Sequence, residues 1–85
     1  MTREEIKKTI KQILLDHKFV KPYKDVHERH SYRDDYSMDS LDFVELIMDI
    51  EKEYDISIPD HIAERMDTVA RTIDYLHIEL NRKLN

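Results

Sequence analysis

Asp39-Ser40-Leu41-Asp42-Phe43-Val44-Glu45-Leu46-Ile47-Met48-Asp49-Ile50-Glu51-Lys52-Glu53-Tyr54 decides the fold of this 85-residue chain. Leu41, Val44, Ile47, Met48, Ile50 and Tyr54 recur at the spacing of an amphipathic helix, with Asp42, Glu45, Asp49, Glu51 and Glu53 between them. Asp39 is a good N-cap, because its carboxylate accepts from a backbone N–H that the first turn leaves free. Asp42 falls in that turn, where the helix dipole favours a negative charge. The helix therefore starts at Asp39 or Ser40. It ends before Pro59, since the residue preceding a proline avoids helical dihedrals. Ser40 is then presented at a helix N-terminus, hydroxyl outward, with carboxylates on both sides. No histidine lies near it in sequence to act as a base. Such a setting suits a serine modified by another enzyme better than one that attacks a substrate itself.

Working outward, Thr2-Arg3-Glu4-Glu5 forms a capping box, and Ile6, Ile10, Ile13 and Leu14 follow at helical spacing opposite Lys7, Lys8 and Lys11. This first helix should run to about residue 17. Residues 18–38 show no period and contain Pro22, with Val26, Tyr32 and Tyr36 as the apolar anchors. So long a connection in a small domain needs a reason, and crossing a bundle from one helix end to the next helix start is one. Beyond Pro59, a short third helix is expected over about 60–66. Asp67-Thr68 then caps a fourth, with Val69, Ile73, Leu76 and Leu80 on its buried stripe. Ile56-Ser57-Ile58 alternates but is too short to pair alone. The expected fold is all-α: a single domain over 1–85, a four-helix bundle with three longer helices and one short third helix. Its core should hold Leu46, Ile47, Ile50, Tyr54, Ile58, Ile62, Met66 and Val69.

Composition narrows the function. A chain this short buries roughly 60–65% of its unfolded surface, so a stability of about 4–13 kcal/mol is expected. There is no cysteine, hence no disulfide, and any thioester or redox chemistry needs a thiol brought from outside. The absence of glycine excludes phosphate-cradling glycine loops. No apolar run reaches membrane-spanning length. Charge is uneven: residues 1–33 carry nine Lys/Arg against five acids, a net +4, while residues 34–60 carry ten acids against Lys52, a net −9. Residues 61–85 are neutral. The middle third would repel nucleic acid and attract a basic protein.

The DSLDxVEL run at residues 39–46, the acidic stretch Glu51-Lys52-Glu53-Tyr54 and Ile58-Pro59-Asp60 at the right distance together resemble the acyl carrier proteins. The resemblance extends from the first helix to Ile73-Asp74-Tyr75-Leu76. It implies that Ser40 carries 4'-phosphopantetheine, transferred from coenzyme A by a separate phosphopantetheinyl transferase, and that acyl groups ride on the arm's thiol as thioesters. The chain itself would catalyse nothing. Asp39, Asp42, Glu45, Glu51 and Glu53 would meet basic surfaces of the transferase and of acyl-processing enzymes, with Leu41 and Met48 as apolar contacts. For Leu41 and Met48 core packing is the competing reading. A cytoplasmic monomer serving type II fatty acid synthesis is the leading expectation, with neither membrane nor nucleic acid as a partner. A specialised carrier for polyketide, aryl-polyene, peptide, aminoacyl or D-alanyl transfer stays open. So does a cofactor-free acidic helical module that binds a basic protein.

The chain departs from the family pattern in places. Ser37 stands where the family usually has glycine, so it must adopt a positive φ or the loop must differ. Tyr32 and Tyr36 replace the usual Phe and Leu, and their hydroxyls need partners. Asp60-His61-Ile62-Ala63-Glu64-Arg65 is less acidic than usual. Other chemistries fit worse. A calcium loop from Asp35 fails at its sixth and twelfth positions, Ser40 and Leu46. His27 and His30 have no further ligand at metal-site spacing. A serine hydrolase would need a base and an orienting acid around Ser40.

Overall fold

The computed structural model describes residues 1–83. Among the described residues five helices follow one another: α1 (Arg3–Asp16), α2 (Tyr32–Tyr36), α3 (Ser40–Tyr54), α4 (Asp60–Ala63) and α5 (Val69–Lys83). Three long helices and the short α4 make the expected all-α bundle; α2 is an addition inside the long connection. Five residues are too few to show a helical period, which is why the sequence reads as a loop there.

The Thr2–Glu5 capping box closes the start of α1, and Ile6, Ile10, Ile13 and Leu14 are buried against α3 and α5. At the other end His17 is the C-cap. Lys18 then turns left-handed at φ 62°, Lys18 N–H donates to Leu15 O at 3.0 Å, and Phe19 N–H donates to Leu14 O at 2.9 Å. These bonds satisfy orphan carbonyls of the last turn. The same device recurs twice. Ser37 (φ 54°) ends α2 and sends Met38 into the core; Asp55 (φ 53°) ends α3 and sends Ile56 inward.

The connection before α3 is sewn to the one before α5. Tyr32 N–H donates to Asp67 O, Val69 N–H to His30 O and Ala70 N–H to Glu28 O, at 3.2, 3.1 and 2.7 Å. Beneath them the buried Tyr32 hydroxyl meets Thr72 Oγ1 at 2.7 Å, while Thr72 Oγ1 donates to Thr68 O. Tyr36 finds His30 Nδ1 at 2.8 Å. Both loop tyrosines thus have the partners their hydroxyls require, and His30 is occupied with holding the loop. Burial pushes the Tyr36 hydroxyl up to about 12 and Tyr32 further still, so both stay neutral.

Two expectations need correction. The third helix stops at Ala63 rather than near residue 66: Arg65 N–H and Met66 N–H bond three residues back, to Ile62 O and Ala63 O, a tighter winding that turns Met66 into the core. Tyr54 and Ile62 are half-buried at the core's edge, whereas Val20, Met38 and Ile56 are fully part of it.

Candidate functional site

Asp39 is the N-cap of α3, so Ser40 is the first helical residue. Asp39 Oδ1 accepts from Asp42 N–H at 2.8 Å, and Asp42 Oδ2 accepts from Asp39 N–H at 3.0 Å. The two carboxylates beside the serine are thereby tied to backbone donors and build the helix start. Ser40 is exposed. Among the described residues its hydroxyl makes no hydrogen bond, and the N–H groups of Ser40 and Leu41 have no acceptor. An accessible hydroxyl beside two free N–H groups at the positive end of a helix dipole suits a phosphate ester. Neither carboxylate is free to orient a histidine towards it, as a nucleophilic serine would require.

A cavity of about 610 Å³ opens beside Ser40, lined on its apolar side by Tyr32, Met38, Phe43 and Val44. Phe43, Val44 and Glu64 are shared with a second cavity of about 430 Å³ that continues past Ile47, Met48, Ile58 and Ala63. Together they form a groove between α3 and α4 that starts at the serine. Its walls fit a pantetheine arm, which has amide groups on an otherwise aliphatic backbone.

On the outer face of α3, Leu41 is 67%, Val44 49% and Met48 59% exposed, so none of them packs the core. They share one helical stripe with the exposed Glu45 and Lys52. Val44, three residues from Leu41 and four from Met48, lies on the outside with them. Glu45 and Asp49 face the end of α1. His17 stacks on Phe19, contacts Asp49 through Nε2 and lies 4.0 Å from Glu45. The hydrogen bond to Asp49 holds the His17 pKa above its ordinary value, against the opposing effect of desolvation. Glu53 is exposed at the far end of the helix. Glu51 is half-buried and accepts from Ile58 N–H at 2.8 Å, bracing the connection to α4. The acidic residues therefore differ in kind: Asp39, Asp42 and Glu51 are bound into the fold, while Glu45 and Glu53 present themselves outward.

Residues 5–76 match the family model described as a phosphopantetheine attachment site. The chain is 46% identical over 72 residues to the acyl carrier protein of Buchnera aphidicola subsp. Schizaphis graminum, covering 85% of this chain and 90% of that one. It is 42% identical over 76 residues to the acyl carrier protein of Chlorobium phaeobacteroides, covering 89% and 96%. To that of Thermosynechococcus vestitus it is 42% identical over 77 residues, covering 91% and 94%.

Proposed function

The chain belongs to the acyl carrier protein family, and on that premise we propose that Ser40 is the residue that takes the 4'-phosphopantetheine arm. The observation that carries the assignment is the exposed, unpartnered Ser40 hydroxyl at the head of α3, opening onto a groove. The chain is a carrier and not an enzyme. When bound, the arm supplies the thiol that holds an acyl group as a thioester, which this cysteine-free chain lacks. The chain's residues do the rest. Ser40 offers Oγ as the acceptor: its bond to the pantetheine-side phosphorus of coenzyme A would form as the pyrophosphate P–O bond breaks, adenosine 3',5'-bisphosphate would leave, and the hydroxyl proton would pass to a base of the phosphopantetheinyl transferase. Asp39 and Asp42 hold the helix start so that the N–H groups of Ser40 and Leu41 remain available to the anion.

The exposed stripe of Leu41, Val44 and Met48, flanked by Glu45, is the surface we assign to the transferase and the acyl-processing enzymes. Apolar contact gives affinity, and the carboxylates steer basic partners without locking them, as a carrier that must leave each enzyme requires. Methionine suits a surface that accommodates several partners. The same reading makes residues 1–85 one carrier domain, monomeric and cytoplasmic, serving type II fatty acid synthesis. Among the described residues no helix is long and apolar enough to cross a membrane.

Because the unmodified chain has no thiol, loading should be visible by thiol titration. Incubation with coenzyme A and a transferase, followed by removal of small molecules, should add a single titratable thiol per chain. A protein that stays thiol-free under conditions that load another carrier overturns the proposal.

A further inference from the structure

The cavity beside Ser40 has an unusual electrostatic lining for a site that receives a phosphodiester. Asp34, Asp39, Glu64 and Asp67 all border it, and among the described lining residues Arg33 is the one cation. Four carboxylates around an anion raise its energy unless a positive charge sits with it. Asp67 has its own partner, Arg71 at 2.8 Å, so that arginine's charge is committed to the outer rim. Arg33, by contrast, is exposed and enters no hydrogen bond or ion pair with any described residue. Its backbone is held firmly even so. It belongs to α2, which is held by Tyr32 in the core, by the Ser31 cap and by the backbone bonds to Asp67 and Val69.

We propose that Arg33 is the positioning residue for the prosthetic arm, its guanidinium pairing with the phosphodiester on Ser40 from across the cavity. The inference rests on the assignment of Ser40 made above. Arginine fits the task, because its planar fork offers parallel N–H donors to two oxygens of one phosphate. The Ser40 and Leu41 N–H groups lie on the helix side of that phosphate, and Arg33 closes the other side. Pairing there would hold the root of the arm towards the groove that leads along α3 to Met48 and Ile58. Breaking it would free the root to swing outward when a partner's basic surface competes for the same phosphate. Glu64 works in opposition, as a carboxylate that borders the same cavity.

Phosphorus NMR of the loaded protein tests this without reference to any carrier activity. The loaded wild type, Arg33→Gln, Arg33→Lys and Glu64→Gln forms are compared with the urea-unfolded loaded protein as the reference for an unheld phosphodiester. Slow-loading variants are driven to completion with excess transferase, and amide spectra check that the fold is kept. In Arg33→Gln the phosphorus resonance should move towards the unfolded position and its line should narrow. The ratio of held to free phosphodiester should fall about two- to five-fold, as for loss of an exposed ion pair. Arg33→Lys should keep an intermediate position, and Glu64→Gln should shift the resonance away from the unfolded value. Adding salt should move the wild type towards Arg33→Gln and leave Arg33→Gln itself in place. A loaded wild type and Arg33→Gln with the same resonance, line width and salt response would overturn the role of Arg33 and leave Ser40 standing. A wild type that acquires no phosphorus signal would overturn both.

Discussion

Three residues carry a cost that glycine would remove. Lys18, Ser37 and Asp55 all sit at positive φ, in a chain with no glycine to place there. For residues with a Cβ the left-handed region is unfavourable, least so for Asp, whose short side chain bonds locally. Lys18→Gly should therefore raise stability in urea denaturation by about 0.5–1 kcal/mol, the left-handed strain relieved less the entropy that glycine adds to the unfolded chain. Asp55→Gly should gain less. Loss of stability in Lys18→Gly would contradict the assignment of strain. Of the three, only Ser37 could be anticipated, because the family pattern places a glycine there. Lys18 and Asp55 give no signal in sequence: a helix end is legible from its caps, but nothing in a lysine announces a left-handed residue. Exposure at single positions was equally hard to read. Leu41 and Met48 fit core and contact readings alike until their surroundings are seen.

At the scale of elements, the long helices were legible and their joints were not. Caps and periods locate α1, α3 and α5 because each spans at least 14 residues. Short α2 lacks a period, and the winding after α4 depends on where Met66 is drawn. Tertiary ties between elements are likewise invisible in one dimension. The contact of His17 with Asp49 joins the end of α1 to α3 and has a measurable consequence. Hydrogen bonding to Asp49, with Glu45 and Asp16 adding their fields, makes folded His17 bind its proton more tightly than the unfolded chain does. Its stabilisation is complete below the ordinary value of 6.5 and is lost as pH rises through the higher folded value. Thermal unfolding of wild type and His17→Gln should therefore diverge most in acid, below pH 6.5, and converge as the pH is raised. A gap that is constant across that range, or that widens with pH, would contradict the pairing.

Over the whole molecule, charge is sorted: the acidic excess lies in residues 34–60, which hold Ser40 and the whole of α3, and the positive excess lies in residues 1–33. Arg33 is the exception, since α2 brings it back to the serine. Glu45 is the cleanest probe of the acidic surface, because Asp39 and Asp42 also build the helix start. Charge reversal in Glu45→Lys should slow loading by a transferase several-fold at low salt, in a protein whose amide spectrum shows the fold kept, and added salt should erase the difference by screening. A loading rate indifferent to both would mean that partners dock elsewhere. All of this depends on one covalent attachment. Intact-mass spectrometry of the wild type and Ser40→Ala, each incubated with coenzyme A and a promiscuous transferase, followed by fragmentation to locate the added group, tests it directly. The account predicts that the wild type gains the mass of one phosphopantetheine on Ser40 and that Ser40→Ala, folded as before, gains nothing. An unchanged wild type, or a gain that persists in Ser40→Ala, would contradict it.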